Sequence, residues 1–197
     1  MFAYLKGKLA HQDPTFVIID IHGVGYEVKI SLNTYSQIKD KESIHLFTHF
    51  HVKEDAQTLF GFADTREKEI FLHLLSISGV GPSTGLMVLS SLNPEEVEEA
   101  ILQEDVRTIQ GVKGIGAKTA QRIILELKDK IARSGMTGDS INIPTSSKNT
   151  IRNEALAALV TLGINKTAAQ KSIEQILKSS TDEIRLEDVI KQALKVA

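Results

Sequence analysis

Hydrophobic positions change their period three times along this chain, and each change predicts a different kind of structure. Over residues 1–63 the runs Phe2–Ala10, Thr15–Ile21, Tyr26–Ser31, Ile44–His51 and Thr58–Phe62 are rich in β-branched and aromatic residues. Val28 and Ile30 alternate about Lys29, the period of two expected of a strand with one buried face. His22-Gly23-Val24-Gly25 reads as a turn between two of these runs, because glycine supplies the positive φ that tight turns use. Five short strands in so few residues predict a small antiparallel barrel of the OB type.

From residue 64 the period becomes helical. Asp64-x-x-Glu67 has the form of a capping box ahead of Ile70, Phe71, Leu74 and Leu75, which share one helical face. Asn93-Pro94-Glu95-Glu96 offers an N-cap, a proline at the first helical position and a carboxylate at the third, and Val97, Ile101 and Leu102 follow. Ala117–Lys130 carries Ile123, Ile124 and Leu127. The period then vanishes over residues 134–149, which are rich in Ser, Thr, Gly and Asn and nearly uncharged, as a flexible linker would be. It returns over 150–197 as three stripes: Leu156/Leu159/Val160, Ile173/Ile176/Leu177 and Leu186/Val189/Ile190/Leu194. Three helices of this size predict a bundle with little core and marginal stability. The expected organisation is a multidomain α+β chain: an OB-type barrel over 1–63, a helical domain over 64–133, a flexible linker over 134–149 and a three-helix unit over 150–197.

The helical domain contains an internal repeat. Ser78-Gly79-Val80-Gly81-Pro82-Ser83-Thr84 is echoed 35 residues later by Lys113-Gly114-Ile115-Gly116-Ala117-Lys118-Thr119. Each copy has a helical run, then glycine–apolar–glycine, then small or hydroxyl residues opening another helix. This pattern predicts a tandem helix–hairpin–helix. Two glycines let the backbone turn tightly and approach another molecule, and the outward N–H groups suit a phosphate. Val80 and Ile115 are expected to plug back into their helix pairs. The candidate DNA-binding residues are Gly79, Val80, Gly81, Ser83, Thr84, Lys113, Gly114, Ile115, Gly116, Lys118, Thr119 and Arg122, with Lys53 of the barrel domain. Such contacts position a duplex without reading its sequence.

Charge sharpens this reading. The whole chain sums to −2, which by itself argues against a nucleic-acid partner. Residues 106–133, however, hold seven bases and two acids, while Pro94–Asp105 holds six acids and no base. That acidic helix reads as a solvated face. The two segments cancel in the sum without having to share a surface.

Other chemistries are excluded on spacing. Gly111-x-x-x-x-Gly116 before Lys118-Thr119 nearly spells a P-loop, but Ala117 displaces the lysine and no buried strand precedes it, so no nucleotide cofactor is expected. His45, His49 and His51 share strand parity, yet the chain has no Cys and no tighter ligand set, so no metal is expected. No catalytic constellation stands out. The absence of Cys fits a reducing, cytoplasmic setting. No apolar run approaches the roughly 18 residues of a membrane span, and the first residues do not resemble a secretory signal.

The ordered set of motifs is similar to the RuvA family, the Holliday-junction-binding subunits of a bacterial branch-migration machine. The similarity rests on His22-Gly23-Val24-Gly25-Tyr26-Glu27-Val28, Phe47-Thr48-His49-Phe50, Glu54-Asp55-Ala56-Gln57, Leu59-Phe60-Gly61-Phe62, both glycine repeats, and Glu154-Ala155-Leu156-x-Ala158-Leu159-x-x-Leu162-Gly163. The resemblance implies a four-fold symmetric homotetramer, or an octamer of two, that holds a four-way junction open and planar. It implies the RuvB ATPase and the RuvC resolvase as partners. It gives Glu54 and Asp55, beside Lys53, the role of an acidic pin that repels phosphates at the crossover, so that a continuous duplex is disfavoured. It also raises Leu162 and Ile164, with Leu159 and Leu194, as contacts for the motor. By themselves, two acids in a hairpin loop read as a solvated turn, and Leu159 reads as bundle core. The resemblance departs at Ser83, Thr84 and Ala117, where lysines are common in the family. The alternative reading is a tandem helix–hairpin–helix nuclease or repair enzyme, which would need a metal-binding carboxylate cluster.

Overall fold

A computed structural model describes residues 1–134, 147–179 and 184–196. Five strands, β1 (Tyr4–Gln12), β2 (Phe16–Ile21), β3 (Val24–Ile30), β4 (Ser43–Val52) and β5 (Gln57–Phe62), close into a barrel in the order β1-β2-β3-β5-β4. Alternate residues point inward, so Val17, Ile19, Val28, Ile30, Ile44 and Leu46 fill the lumen. The barrel is the expected OB type but is not wholly antiparallel: β3 and β5 run parallel, with Val28 opposite Leu59. Parallel neighbours need a crossover connection, and here it carries a helix, α1 (Leu32–Ile38), and β4. Helix α1 escapes the sequence pattern because only Thr34 and Ile38 of its seven residues are buried, too few to show a period. The predicted four-residue turn shrinks to His22 (φ 53) and Gly23 (φ 87), and Val24-Gly25 already belong to β3.

Five helices follow: α2 (Thr65–Leu75), α3 (Pro82–Ser91), α4 (Pro94–Leu102), α5 (Val106–Gln110) and α6 (Ala117–Ser134). Ile70, Phe71, Leu74, Val88, Leu89, Val97, Ile101, Ile109, Ile123 and Leu127 form their core. Phe60 and Phe62 of β5 join it, with ring centroids 5.2 and 4.9 Å from Phe71. Barrel and helices are therefore one compact unit, and α7 (Ser147–Thr161), α8 (Lys166–Ser179) and α9 (Leu186–Val196) belong to a second. Most of the expected linker, residues 135–146, lies outside the described residues.

The second unit has its own core of Ala155, Leu159, Ala169, Ile173, Ile176, Val189 and Ala193. Alanines at i+4 spacing take inward positions that the apolar stripes assigned to larger residues. Val160 and Leu194 accordingly sit 44% and 45% exposed, one step round the helix, and Leu102 is 39% exposed at the end of α4.

Two capping predictions separate. At α4 the box closes both ways, Glu96 N–H to Asn93 Oδ1 at 2.8 Å and Asn93 N–H to Glu96 Oε2 at 2.8 Å. At α2 only half forms. Glu67 N–H donates to Asp64 Oδ1 at 2.7 Å, but the Glu67 carboxyl turns inward to the Ser31 and Thr34 hydroxyls.

The acidic helix is not simply a solvated face. Glu98 is 3% exposed and receives two bonds from Arg66, Nε at 2.8 Å and Nη2 at 2.5 Å, while Arg66 Nη1 reaches Glu95 at 2.6 Å. Removing one partner of a buried pair costs about 3–5 kcal/mol. Arg66 keeps 36% of its side chain in solvent, which favours the lower end.

Candidate nucleic-acid interface

The two repeat copies make the same turn. Ile77 N–H donates to Leu74 O at 3.1 Å and Val80 N–H to Ile77 O at 3.0 Å. In the second copy Val112 N–H donates to Ile109 O at 3.3 Å and Ile115 N–H to Val112 O at 3.1 Å. Each following helix starts alike, with Gly85 N–H to Gly81 O and Ala120 N–H to Gly116 O, both at 2.9 Å. Val80 and Ile115 are 5% and 6% exposed and plug into the shared core. Burying one such side chain stabilises its hairpin by about 1.5–3 kcal/mol.

The glycines within each pair have different duties. Gly79 and Gly114 lie at φ +91 and +88, where an L side chain is strained. Gly81 and Gly116 lie outside the left-handed region, and a Cβ on either would meet nothing within 4 Å. Neither conformation nor internal crowding requires glycine at 81 and 116. Their bareness leaves room for a molecule to approach the backbone closely.

The helix starts show a second asymmetry. Helices α1, α2, α4 and α5 are capped by the side chains of Ser31, Asp64, Asn93 and Asp105. Helix α3 begins at Gly81 with no side-chain cap, and Gly116 ahead of α6 has no side chain to offer. First-turn N–H groups left without a cap suit an anion. Ser83, Lys113 and Lys118 are exposed beside these starts, and Thr84 and Thr119 are half-buried.

Helix α6 ties the second copy to the first. Arg122 Nη1 donates to Ser78 O at 3.1 Å, and Lys130 Nζ donates to Ser76 Oγ at 2.6 Å. Lys128 pairs with Glu104, just past α4, so the acidic and basic segments do share a surface. Lys113 and Lys118 have no ion pair among the described residues.

Strands β4 and β5 pair as far as Val52 and Gln57. Lys53 N–H closes the tip on Ala56 O at 2.8 Å, leaving Lys53, Glu54 and Asp55 exposed at the turn. In the second unit Leu162 is 61% and Leu194 45% exposed, and Ile164 is half-buried. Leu159 is 0% exposed. Four residues after Ala155, it fills the bundle core, so it is not a partner contact without opening the bundle.

Helix α5 occupies residues 106–110, where a P-loop would need a strand. The histidine rings of β4 pack on aromatics: His45 4.9 Å from Tyr4, His49 5.8 Å from Phe71 and His51 6.3 Å from Phe60. Burial lowers the His49 pKa, with the His51 and Lys68 charges adding to it. Among the described residues no group of three or more His, Asp or Glu is placed to hold a metal ion. None of their helices is long and apolar enough to cross a membrane.

The residues missed from sequence are those that hold these parts together: Ser31, Asn33, Thr34 and Glu67. Glu67 sat in a cap motif, and nothing in a single sequence pairs it with hydroxyls 33 and 36 residues away.

Comparison with known proteins accounts for the whole arrangement. The RuvA N-terminal domain family matches residues 1–61, the SAM-like helix-hairpin-helix tandem 71–129 and the RuvA C-terminal domain 150–196. A Cytophaga hutchinsonii protein named Holliday junction branch migration complex subunit RuvA is 58% identical over 199 residues, covering 100% of both chains. The chain belongs to the RuvA family. Relatives of the same name from Christiangramia forsetii and Amoebophilus asiaticus are 53% and 46% identical, each over 99% of this chain and 99% and 100% of their own. The barrel, the twin hairpins and the last three helices follow the order of the RuvA family's domains.

Proposed function

We infer that this chain is the junction-binding subunit of a branch migration complex. It binds four-way junction DNA by structure, holds it open, and presents it to the RuvB ATPase, with RuvC as a further partner. The observation that carries this is the pair of hairpins with matching hydrogen bonds and bare glycines at 81 and 116, in a chain alike from end to end to named junction-complex subunits. Phosphates would sit on the first turns of α3 and α6, with Ser83, Thr84, Lys113, Lys118, Thr119 and Arg122 around them. The exposed acids Glu54 and Asp55 would face the crossover, where a four-fold homotetramer gathers several copies and repels a straight duplex. Exposed Leu162 and Leu194, with Ile164, are the proposed motor contact. The domain limits 1–63, 64–133, 134–149 and 150–197, and a cytoplasmic location, are part of this reading.

Chemistry stays with the partner motor. The Cytophaga hutchinsonii and Christiangramia forsetii relatives are named as subunits of a branch migration complex, which does not favour the nuclease reading. The test incubates the purified chain with labelled four-way junction or linear duplex, with and without Mg²⁺. The expected result is tighter junction binding with no cutting, whereas Mg²⁺-dependent cutting by the chain alone would favour the nuclease. Removing residues 150–197 should abolish stimulation of the ATPase and spare junction binding.

A further inference from the structure

The two parts of the proposed interface lie on different elements, the acidic tip on the β4–β5 hairpin and the glycine turns on α2–α6. Strand β5 joins them. It runs from the tip to Phe62, and the chain turns at Ala63 and Asp64 into α2, whose far end opens the first hairpin. At about 3.3 Å per residue β5 is a lever of roughly 20 Å. At about 1.5 Å per residue α2 extends about 16 Å beyond the joint. A rotation of about 10° at the joint therefore moves either end by about 3 Å, the full length of a hydrogen bond.

One buried carboxyl grips that joint. Glu67 is 0% exposed. Ser31 Oγ donates to its Oε1, and Thr34 Oγ1 donates to its Oε2 at 2.6 Å. Both hydroxyls also accept: Ser31 from Thr34 N–H and Thr34 from Ala63 N–H, each at 3.0 Å. Their protons are thereby directed at Glu67, and the Ala63 backbone is fastened to α1. The other side of α1 holds the end of α3. Asn33 Nδ2 donates to Leu89 O at 2.5 Å and Leu92 O at 3.0 Å, and Leu32 N–H to Ser90 Oγ at 3.1 Å. Helix α1 is thus a bracket across the start of α2 and the end of α3. A carboxyl buried with hydroxyl partners and no cation is a costly way to fill space that an apolar side chain could occupy. What it supplies is direction.

We propose that Glu67 is a positioning residue for junction recognition: with Ser31 and Thr34 it locks the β5–α2 joint and so sets the acidic tip relative to the glycine turns. This rests on the functional reading above. The hairpins alone suffice to hold a duplex. Preference for the junction needs the tip at the right place between them.

Three variants test it. Thr34→Val keeps the side-chain shape and removes a hydroxyl. Glu67→Leu removes both acceptors, and Glu67→Gln keeps one. Each is titrated against a four-way junction and a linear duplex at one salt concentration, beside the parent protein. Thr34→Val and Glu67→Leu should bind the duplex at least as tightly as the parent and lose about tenfold in junction preference, most of which Glu67→Gln restores. Parallel loss on both DNAs would indicate a merely structural role and overturn the proposal. So would an unchanged preference in Thr34→Val, the variant that decides if Glu67→Leu does not fold. A parent protein without junction preference would overturn the functional reading itself, a result distinct from either.

Discussion

The first and second hairpins share a backbone and differ in almost everything attached to it. Both turn on a positive-φ glycine, both bury the next apolar residue, and both present a bare glycine before a helix start. The first copy offers Ser83 and Thr84, and no Lys or Arg lies between Ser76 and Leu92. The second offers Lys113, Lys118 and Arg122. On the proposed function grip and charge would be separable: main-chain N–H groups would offer a phosphate seat in both copies, while only the second carries cations in its own segment. The first copy is not left without positive charge, because Arg122 and Lys130 of α6 lean onto Ser78 and Ser76.

The largest effect should come from filling the bare glycines. A Cβ at Gly116 or Gly81 meets nothing within 4 Å and no forbidden φ, so in Gly116→Leu or Gly81→Leu thermal stability should stay within a few degrees while DNA affinity falls by roughly tenfold or more. Equal loss from both copies would show that the shared backbone dominates, whereas loss from one alone would break the comparison. Charge comes next. Lys118→Ala should weaken binding several-fold and flatten the log–log salt dependence by about one counterion, and Ser83→Lys should steepen it by about the same. By the same count, this chain should show a shallower slope than a family member with lysines at 83 and 117.

A smaller effect separates the copies by pH. Burial raises the Glu67 pKa, opposed by the Ser31 and Thr34 hydrogen bonds. The folded state then holds that proton more tightly than the unfolded chain does, so this contribution to stability declines as pH rises from the ordinary glutamate value to the raised one. Asp105, which caps α5 before the second hairpin, has its pKa lowered by hydrogen bonds from the Thr108 side chain and backbone. Its contribution is present above the ordinary aspartate value and is lost as pH falls through the lowered one. Glu67→Gln and Asp105→Asn should remove contributions of opposite slope from the acid side of the stability–pH curve measured by denaturant unfolding, Glu67 above the ordinary glutamate value and Asp105 below the ordinary aspartate value. The smallest effect belongs to Lys128→Ala. Its ion pair with Glu104 is exposed, so stability should barely change, and DNA binding should change less than for Lys118→Ala.

Much of this was legible in the sequence because the signals were local. Strand alternation, the Asn93–Glu96 box and the two glycine turns each lie within a few residues and reappear in the structure close to their predicted limits. What stayed hidden was non-local or too short to show a period. Helix α1 buries two residues in seven, and the Glu67–Thr34–Ser31 knot and the Arg66–Glu98 pair join positions about thirty residues apart. Alanine misled in the opposite direction. Ala155 and Ala193 take inward positions, and the larger Val160 and Leu194, next to buried Leu159 and Ala193, face out.

The central claim is that the hairpins attract DNA while the β4–β5 tip chooses its shape. Its most direct test is the double substitution Glu54→Gln, Asp55→Asn, titrated against four-way junction and linear duplex at one salt concentration. The account predicts a clear gain in duplex affinity with junction affinity nearly unchanged, so that the gap between the two DNAs narrows. An unchanged gap would contradict it.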